Sequence, residues 1–315
     1  MARATSECFG GQRKTVKPQV TIGICTKNCE KYITETIDSI LKQDLPHQLL
    51  EIIVVDGYST DKTLPIIEKK LEKSEIESKF FSDNKGLGAA RQIIVDRAKG
   101  EYILWVDGDM VLSQGFVRKL VDFMDKNADV GIVKGRQALE AGKNLLATLE
   151  TFSRAASRMV DYQSKKGRSK TLGTAGALCR TEVIRQVGGF DRNLKGYNED
   201  WDIEIRVRGA GWSLCTIDAF YSDYERLGLT WKDLWKKYWL RGFYTHYFLH
   251  KKKGMVKLYR MIPPTAIISG ILNAITLFKI THMKTVFLLP FQSMFKMTAW
   301  NIGFIRSHMN SYAPP

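Results

Sequence analysis

The feature that most restricts the fold is a regular alternation of short apolar runs and amphipathic segments between residues 20 and 134. Five runs rich in Val, Ile and aromatic residues have the length of strands: 20–25, 52–55, 76–82, 102–106 and 130–134. The segments between them carry apolar residues at helical spacing, as in Ile33, Ile37 and Ile40, and Thr60 is suited to cap a helix over 60–73. This alternation predicts an α/β fold with a mostly parallel sheet covered by helices on both faces.

After residue 138 the alternation ends. The sequence predicts a long helix over 145–162, a basic loop over 165–170, a helix over 199–208 and a last strand over 213–217. The small residues of 173–179 allow a backbone to approach a ligand closely.

Two carboxylates follow the apolar run 102–106 directly, in the tripeptide Asp107-Gly108-Asp109. The carboxyl ends of parallel strands are where open α/β sheets bind ligands. Carboxylate oxygens suit Mg²⁺ or Mn²⁺ better than Zn²⁺. A simple turn explains the tripeptide equally well when it is taken alone, because Asp and Gly both favour turns.

Polar groups recur at the other strand ends. Thr26 and Asn28 follow the first strand, Asp56 ends the second, and the segment Asn84 to Arg91 opens the helix after the third. In a doubly wound sheet these groups converge on one crevice. A separate turn at each place would not explain why they recur at the same end of the sheet. The recurrence favours a nucleotide site.

These motifs resemble those of the inverting glycosyltransferases of family 2, which have the GT-A fold. The resemblance covers roughly residues 18 to 220 and rests on five motifs in the family's order: Cys25-Thr26-Lys27-Asn28, Val55-Asp56-Gly57-Tyr58-Ser59-Thr60-Asp61, Asn84 to Arg91, Asp107-Gly108-Asp109 and Glu199-Asp200. Cys25 stands where the family usually has Pro, and the Gln-x-x-Arg-Trp motif of its processive synthases is absent.

The resemblance implies a role for each matching residue. Asp56 would accept a hydrogen bond from the nucleotide base, Arg91 would lie near the diphosphate, and Asp107 near the ribose. Asp109, with Asp107, would hold Mg²⁺ or Mn²⁺. Asp200, supported by Glu199, would be the general base. The rest of the nucleotide-sugar site would comprise Thr26, Asn28, Asn84, Lys85 and Gly108.

Two of these residues, and two others, have alternative interpretations. The pair Glu199 and Asp200 also suits a helix N-terminus, where the macrodipole favours acids. Arg241 lies in the segment 238–242, which is the part of the chain most similar to the missing Gln-x-x-Arg-Trp motif. It is either a phosphate contact or a solvated helix charge. His246 lies among aromatic residues. It is either a metal ligand from the C-terminal part of the sequence or, more commonly for a lone His, a structural residue.

The C-terminal segment is strongly basic. Residues 231–315 hold thirteen Lys and Arg against one acid, which accounts for +12 of the net charge of +15. Two stretches, 262–278 and 285–305, are apolar apart from Lys296 and approach the roughly 20 residues that a membrane-spanning helix needs. Basic and aromatic residues beside them suit an anionic membrane surface. The pattern predicts a membrane-bound hairpin, spanning or re-entrant, with a buried helical pair as the alternative.

Together these features predict three regions: a disordered leader (1–18), a GT-A catalytic domain (19–230) and basic, apolar membrane-associated helices (231–315). Five cysteines without paired spacing favour a reducing, cytosolic compartment. We expect an inverting transferase that moves one sugar from a UDP- or GDP-linked donor to a lipid-linked acceptor, a polyprenyl phosphate or a lipid-linked glycan, at the cytosolic membrane face.

Alternatives are a processive polysaccharide synthase, a soluble transferase with a non-lipid acceptor and, more distantly, a nucleotidyltransferase. The latter should carry a Gly-rich basic loop after the first strand, which is missing, as is the Gly-x-Gly-x-x-Gly of dinucleotide enzymes. Nucleic acid is not an expected partner, because the positive charge accompanies the apolar stretches.

Overall fold

One eight-stranded sheet forms the centre of the computed structural model, which describes residues 17–156, 172–223, 228–251 and 263–310. The strands are β1 Val20–Thr26, β2 Leu50–Asp56, β3 Glu77–Ser82, β4 Tyr102–Asp107, β5 Met110–Leu112, β6 Val130–Gln137, β7 Ala177–Arg180 and β8 Ser213–Asp223. The helices are α1 Ile33–Leu41, α2 Thr63–Leu71, α3 Leu87–Arg97, α4 Phe116–Lys126, α5 Leu145–Ala156, α6 Thr181–Gln186, α7 Glu199–Gly209, α8 Trp231–Lys251, α9 Pro263–Thr281 and α10 Leu289–Met309. Short 3₁₀ helices lie at His47–Leu49 and Lys284–Leu288.

The strand order is β3-β2-β1-β4-β7-β6-β8-β5. Strands β1 to β4 are parallel, with Val20 opposite both Leu50 and Tyr102. Strand β7 runs antiparallel to β4 and β6, and β5 antiparallel to β8. The prediction of a mostly parallel sheet is confirmed, and the first four strands end at the same edge.

Both faces of the sheet are covered by helices, as their apolar spacing predicted. One buried cluster joins Ile22, Ile24 and Leu104 to α1 and α4, through Ile37 and Phe116 among others. A second cluster on the other face joins the sheet to α3, α6 and α7. Alternating residues of each strand contribute to the two clusters, because successive side chains of a strand point to opposite faces.

Several predicted boundaries change. Helix α2 begins at Thr63 rather than Thr60, whose N–H and hydroxyl instead donate to the side-chain oxygen of Asn28. The predicted strand 213–217 extends to Asp223, and the small residues of 173–179 lead into β7. The predicted helix 145–162 is described up to Ala156, whereas its remainder, the loop 165–170 and residues 1–16 of the leader lie outside the described residues.

The C-terminal helices are fixed to the rest of the protein by packing and charge. A Cβ on Gly242 of α8 would overlap the carbonyl oxygen of Trp300, and one on Gly303 of α10 that of Trp239, so these two helices pack backbone to backbone. Lys296 of α10 lies 2.9 Å from a carboxylate oxygen of Glu150 on α5, and both side chains are buried.

The ion pair belongs to a larger buried network. The hydroxyl of Tyr238 donates to Glu150 at 3.2 Å, and the ammonium of Lys296 also donates to the Ser153 hydroxyl at 2.9 Å. Burial raises the pKa of Glu150, but Lys296, Lys237 and Arg154 hold it well below its usual range. Lys296, the one charge in the apolar stretch 285–305, therefore faces the protein interior.

Helix α9 differs from α10. Among the described residues, α9 is the one helix long and apolar enough to cross a membrane, by length and composition, and only 22% of its window is buried. Large apolar side chains remain exposed along α9, the following 3₁₀ helix and α10. We call these residues the apolar surface: Ile268, Ile271, Leu272, Ile275, Ile280, Phe287, Phe291, Ile302 and Ile305.

Candidate functional site

A cleft of about 820 Å³ lies between the carboxyl edge of the sheet and the C-terminal helices. We call one side the sheet wall; its charged residues include Arg91, Asp107, Asp109, Glu199 and Asp200. The other side, contributed by α5, α8 and α10, is the helical wall, with Arg154, Lys236, Lys237, Leu240, Arg241 and Trp300. The two walls carry opposite charge, with carboxylates mainly on the first and cations on the second.

The tripeptide at the end of β4 presents two carboxylates to the cleft. The carbonyl of Gly108 accepts the Thr36 hydroxyl at 3.1 Å, which ties the loop to α1. A Cβ at Gly108 would lie 2.9 Å from the Thr26 hydroxyl oxygen, so a larger residue would displace the loop. Asp107 and Asp109 on either side of it line the cleft.

Arg91 of α3 joins the two acidic parts of the sheet wall. One guanidinium nitrogen pairs with Glu199, and another lies 3.8 Å from Asp107. The guanidinium is buried, with its carbon 5.8 Å from the ring centroids of Trp105 and Phe190. Burial opposes its charged form, but Glu199 and Asp107 together raise the pKa of Arg91. The cation is thereby fixed between the end of β4 and the start of α7.

The first two residues of α7 lie in different environments. Glu199 is buried, and burial raises its pKa to about 7 despite the opposing effect of Arg91. Its Oε2 has no hydrogen-bond partner within the described part of the chain. Asp200 is only partly buried, accepts the N–H of Trp201 at 2.7 Å and lines the cleft. The pair is therefore divided, with Glu199 toward Arg91 and Asp200 toward the space where a ligand would bind.

Three predicted site residues lie at the same sheet edge but not in the lining of this cleft. Asp56 accepts the N–H and hydroxyl of Ser59 at 2.8 and 2.5 Å. Asn28, at a φ of 52°, accepts the N–H of Thr60 at 2.8 Å, and the carbonyl of Thr26 accepts the N–H of Gly57 at 2.8 Å. These contacts join the loops after β1 and β2 into one unit beside the cleft.

The segment before α3 is braced from the other side. Asn84 and Lys85 are exposed and do not line the cleft. The N–H groups of Leu87 and Gly88 donate to the carbonyls of Lys195 and Leu194 at 2.9 and 3.1 Å. A Cβ on Gly88 would overlap this backbone, so glycine is required for the segment to lie against the loop before α7.

Sequence reasoning missed several residues of the cleft, among them Lys134 of β6, Arg154 and the lysines of α8. Lys134 is buried and donates to the carbonyls of Leu172 and Gly173 at 2.6 and 3.0 Å. The available signal was a lysine at the end of the apolar run 130–134. Arg154 pairs with Asp223 at 2.7 Å, a contact between distant positions that no local pattern marks.

The two residues with open interpretations are placed differently. Arg241 lines the cleft, and its guanidinium carbon lies 5.0 Å from the Tyr238 ring centroid. His246 is buried and does not line the cleft; its Nε2 lies 3.2 Å from Nδ1 of His308. Burial and the neighbouring His250 and His308 lower the pKa of His246 to about 4. No group of three or more His, Cys, Asp or Glu suited to a metal occurs in the ranges that the structure describes.

Solved structures with the same fold bind nucleotide sugars. The mannosyltransferase PcManGT of Pyrobaculum calidifontis, solved with GDP-Man and Mn²⁺, matches with a TM-score of 0.64 at 17% identity over 92% of this chain and 88% of its own. Residues 1–349 of TarS of Staphylococcus aureus, solved with UDP-GlcNAc, match with a TM-score of 0.52 at 18% identity over 94% and 93%. The mixed sheet with flanking helices is thus the GT-A fold.

Sequence relatives are glycosyltransferases as well. The poly(ribitol-phosphate) β-N-acetylglucosaminyltransferase TarS of Staphylococcus aureus is 38% identical over 111 residues, which are 35% of this chain. This match spans only about a fifth of the length of that relative, 19%. An uncharacterized glycosyltransferase of Rickettsia typhi is 24% identical over 79% of this chain and 85% of its own.

The family model described as glycosyl transferase family 2 matches residues 21–188, more than half of the chain. The matched range contains four of the five motifs that carried the resemblance, from Cys25 to Asp109. The chain belongs to glycosyltransferase family 2.

Proposed function

We propose that this protein transfers a single sugar from a nucleoside-diphosphate sugar to a lipid-linked acceptor at the cytosolic face of a membrane, with inversion at the anomeric carbon. The observation that carries the proposal is the convergence of Arg91, Asp107, Asp109, Glu199 and Asp200 on one cleft. These residues come from three separate elements, β4 with its following loop, α3 and α7.

The donor binds along the sheet wall. Asp56 accepts a hydrogen bond from the base, and Thr26, Asn28, Asn84 and Lys85 line the path of the nucleoside. Asp107 lies at the ribose and Arg91 near the diphosphate. Support comes from the position of these residues at one sheet edge, and from the UDP-GlcNAc and GDP-Man bound in structures of the same fold.

The carboxylates of Asp109 and Asp107 hold the divalent cation. Two acids suffice because Mg²⁺ usually keeps several waters and takes its other oxygens from substrate phosphates. When bound, Mg²⁺ or Mn²⁺ stabilises the negative charge that develops on the leaving diphosphate.

Asp200 serves as the general base for an acceptor hydroxyl. The hydroxyl oxygen attacks the anomeric carbon, the bond to the diphosphate oxygen breaks, and the proton passes to Asp200. Glu199, which lies against Arg91, orients the start of α7 and does not itself receive the proton. One in-line displacement inverts the anomeric configuration.

The membrane assignment is supported by the apolar surface and by the charge beside it. From Leu234 to the C-terminus the sequence contains no acid, while Lys279, Lys284 and Arg306 are present near the apolar surface. Apolar side chains on helices that lie in a membrane interface, flanked by Lys and Arg, suit anionic lipids.

Turnover of the Asp200→Asn variant tests the hydroxyl mechanism. General-base catalysis contributes about 10²–10⁴-fold, so we expect a loss of that order in sugar transfer. Asp233→Asn, on the opposite side of the same cleft, serves as the control. Near-normal transfer by Asp200→Asn would remove the hydroxyl mechanism, and would fit a phosphate acceptor, which needs no base.

A second acceptor class is favoured by the sequence relatives. TarS is named as a transferase of poly(ribitol-phosphate), a polymer rather than a lipid. Sedimentation with anionic vesicles separates the classes: Leu272→Glu should release a membrane-held enzyme, whereas Phe220→Glu, an exposed residue of β8, should not. If the wild-type protein does not bind vesicles and glycosylates a soluble polymer, the acceptor is a polymer and not a lipid-linked molecule.

A further inference from the structure

The buried side chains of Glu204 and Lys134 bind the backbone of Leu172 and Gly173, a short segment at the wall of the cleft. The Glu204 carboxylate accepts the N–H of Leu172 at 2.9 Å and that of Gly173 at 2.7 Å. The Lys134 ammonium donates to the carbonyls of the same two residues. All four peptide groups of this dipeptide are therefore satisfied by two side chains from different elements, β6 and α7. We call this arrangement the backbone clamp.

The clamp places charges where a core would ordinarily have none. Lys134 is 1% exposed and Glu204 is 2% exposed. Burying an ionised group is costly unless good partners compensate it, and apolar residues of similar size often serve stability at least as well. Both side chains bind backbone groups, so together they fix the position of Leu172 and Gly173.

The held backbone continues into the cleft. Gly173, at a φ of 75°, is followed by Thr174 and Ala175, and all three line the cleft. The far end is fixed as well, because the N–H of Gly176 donates to the Trp105 carbonyl at 2.9 Å. Small residues here leave room for a ligand to lie directly against the main chain.

Helix α7 links this wall to the proposed base. Asp200 and Glu204 are four residues apart, about one turn, so they project from the same side of α7. Burial raises the pKa of Glu204 to about 7, and the neighbouring Asp200 acts in the same direction. Any shift of the clamp thus changes where the wall lies relative to Asp200.

We propose that Glu204 and Lys134 are positioning residues for sugar transfer, which fix the wall of Gly173, Thr174 and Ala175 at a set distance from Asp200. The group that rests on this wall is the hydroxyl-bearing end of the acceptor. The clamp presents its hydroxyl to Asp200 in the orientation for attack. This inference rests on the proposed function and deepens it.

The test compares Glu204→Gln with a matched control, Glu51→Gln. Glu51 is also buried and also accepts backbone N–H groups, those of Lys99 and Gly100 at 2.5 and 3.2 Å, but lies near the starts of the strands. Misplacement by about 1 Å can cost on the order of 10²-fold in rate. We expect Glu204→Gln to lower kcat and raise the acceptor KM, each by about tenfold or more, with the donor KM unchanged. Lys134→Met should behave in the same way.

Glu51→Gln should lose comparable stability while both KM values stay at the wild-type level. If Glu204→Gln and Lys134→Met show only the stability loss of Glu51→Gln, the positioning role is wrong. Should Glu204→Gln fail to fold, Glu204→Asp, which keeps the charge but has a shorter reach, is judged by the same KM and kcat values.

Amide hydrogen exchange on the wild-type protein tests the clamp without any variant. The amides of Leu172 and Gly173 should exchange slowly, because both donate hydrogen bonds to the buried carboxylate of Glu204. Exchange as fast as in an open loop would overturn the clamp. This readout is independent of activity. Absence of turnover with every nucleotide sugar would instead overturn the proposed function, and with it the positioning role.

Discussion

The two walls of the cleft are built in different ways. On the sheet side of the cleft, the neighbouring loops after β1 and β2 and the segment before α3 are held by backbone hydrogen bonds and by glycines that admit close approach, as at Gly88 and Gly108. The helical wall is held by the glycine contacts between α8 and α10 and by side chains distant in sequence, above all Glu150 and Lys296, which are 146 residues apart. The glycines and strand-end motifs of the sheet side can be recognised in the sequence, whereas the pairing of Glu150 with Lys296 cannot.

This difference predicts different responses to substitution. Changes in the sheet wall should act mainly on catalysis, because its side chains face the proposed donor site. Changes in the network around Glu150 should act mainly on stability, because its members are buried away from the cleft. The following substitutions test whether the two walls separate in this way.

The largest effect is expected for Arg91→Met in the sheet wall. Loss of a preorganised cation near the developing phosphate charge should reduce transfer by about 10²-fold or more. The variant also leaves Glu199 buried without its ion-pair partner, which should cost about 3–5 kcal/mol of unfolding free energy. Arg97→Met removes an exposed cation of the same helix and is the control. Transfer within a few fold of wild type, measured on folded protein, would contradict the role of Arg91.

Lys296→Met should produce the converse result in the helical wall. The change leaves the carboxylate of Glu150 buried and uncompensated, so the unfolding free energy should fall by about 3–5 kcal/mol, measured by denaturant titration. The double variant Glu150→Leu/Lys296→Met should recover much of this loss, because no buried charge remains. A double variant no more stable than Lys296→Met would show that the pair contributes through something other than charge compensation.

Gly303→Ala tests the backbone contact between α8 and α10. The added methyl would meet the carbonyl of Trp239, so the helices must separate, at about 1–3 kcal/mol. Gly209→Ala provides the control, since nothing lies within 4 Å of its added Cβ, and alanine favours the helix. Equal thermal midpoints for the two variants would argue against the tight contact.

The last effect is absent at neutral pH and concerns the acid side of the stability profile and His246. Its pKa is about 4 in the folded state, below the ordinary value of 6.5, so the unfolded chain binds a proton first as the pH falls. Stability should therefore decline between about pH 6.5 and pH 4 and level off below. His246→Leu should flatten this part of the pH profile. A variant whose decline matches that of wild type would assign the effect to other groups.

The sequence alone predicted most of the sheet and the placement of the two aspartates after β4. Apolar periodicity and strand-end residues are local signals, and the parallel sheet follows from them. The reversed strand β7 was not predicted, because the small residues of 173–179 indicated only a close-approach loop. The buried charges Lys134, Glu204, Glu150 and Lys296 were also missed as functional or structural partners, because their contacts depend on the tertiary fold. Lys296 in particular was counted within an apolar stretch, whereas its charge is paired inside the protein.

The central claim is that the sheet wall binds a nucleoside-diphosphate sugar through a divalent cation. Release of UDP or GDP, measured across a panel of nucleotide sugars with and without Mg²⁺ or Mn²⁺, tests it most directly. We predict release from one donor class that requires the cation and is lost in Asp109→Asn but retained in Asp44→Asn, a variant outside the cleft. Release that is equal in Asp109→Asn and wild type, or no release from any donor, would contradict the claim.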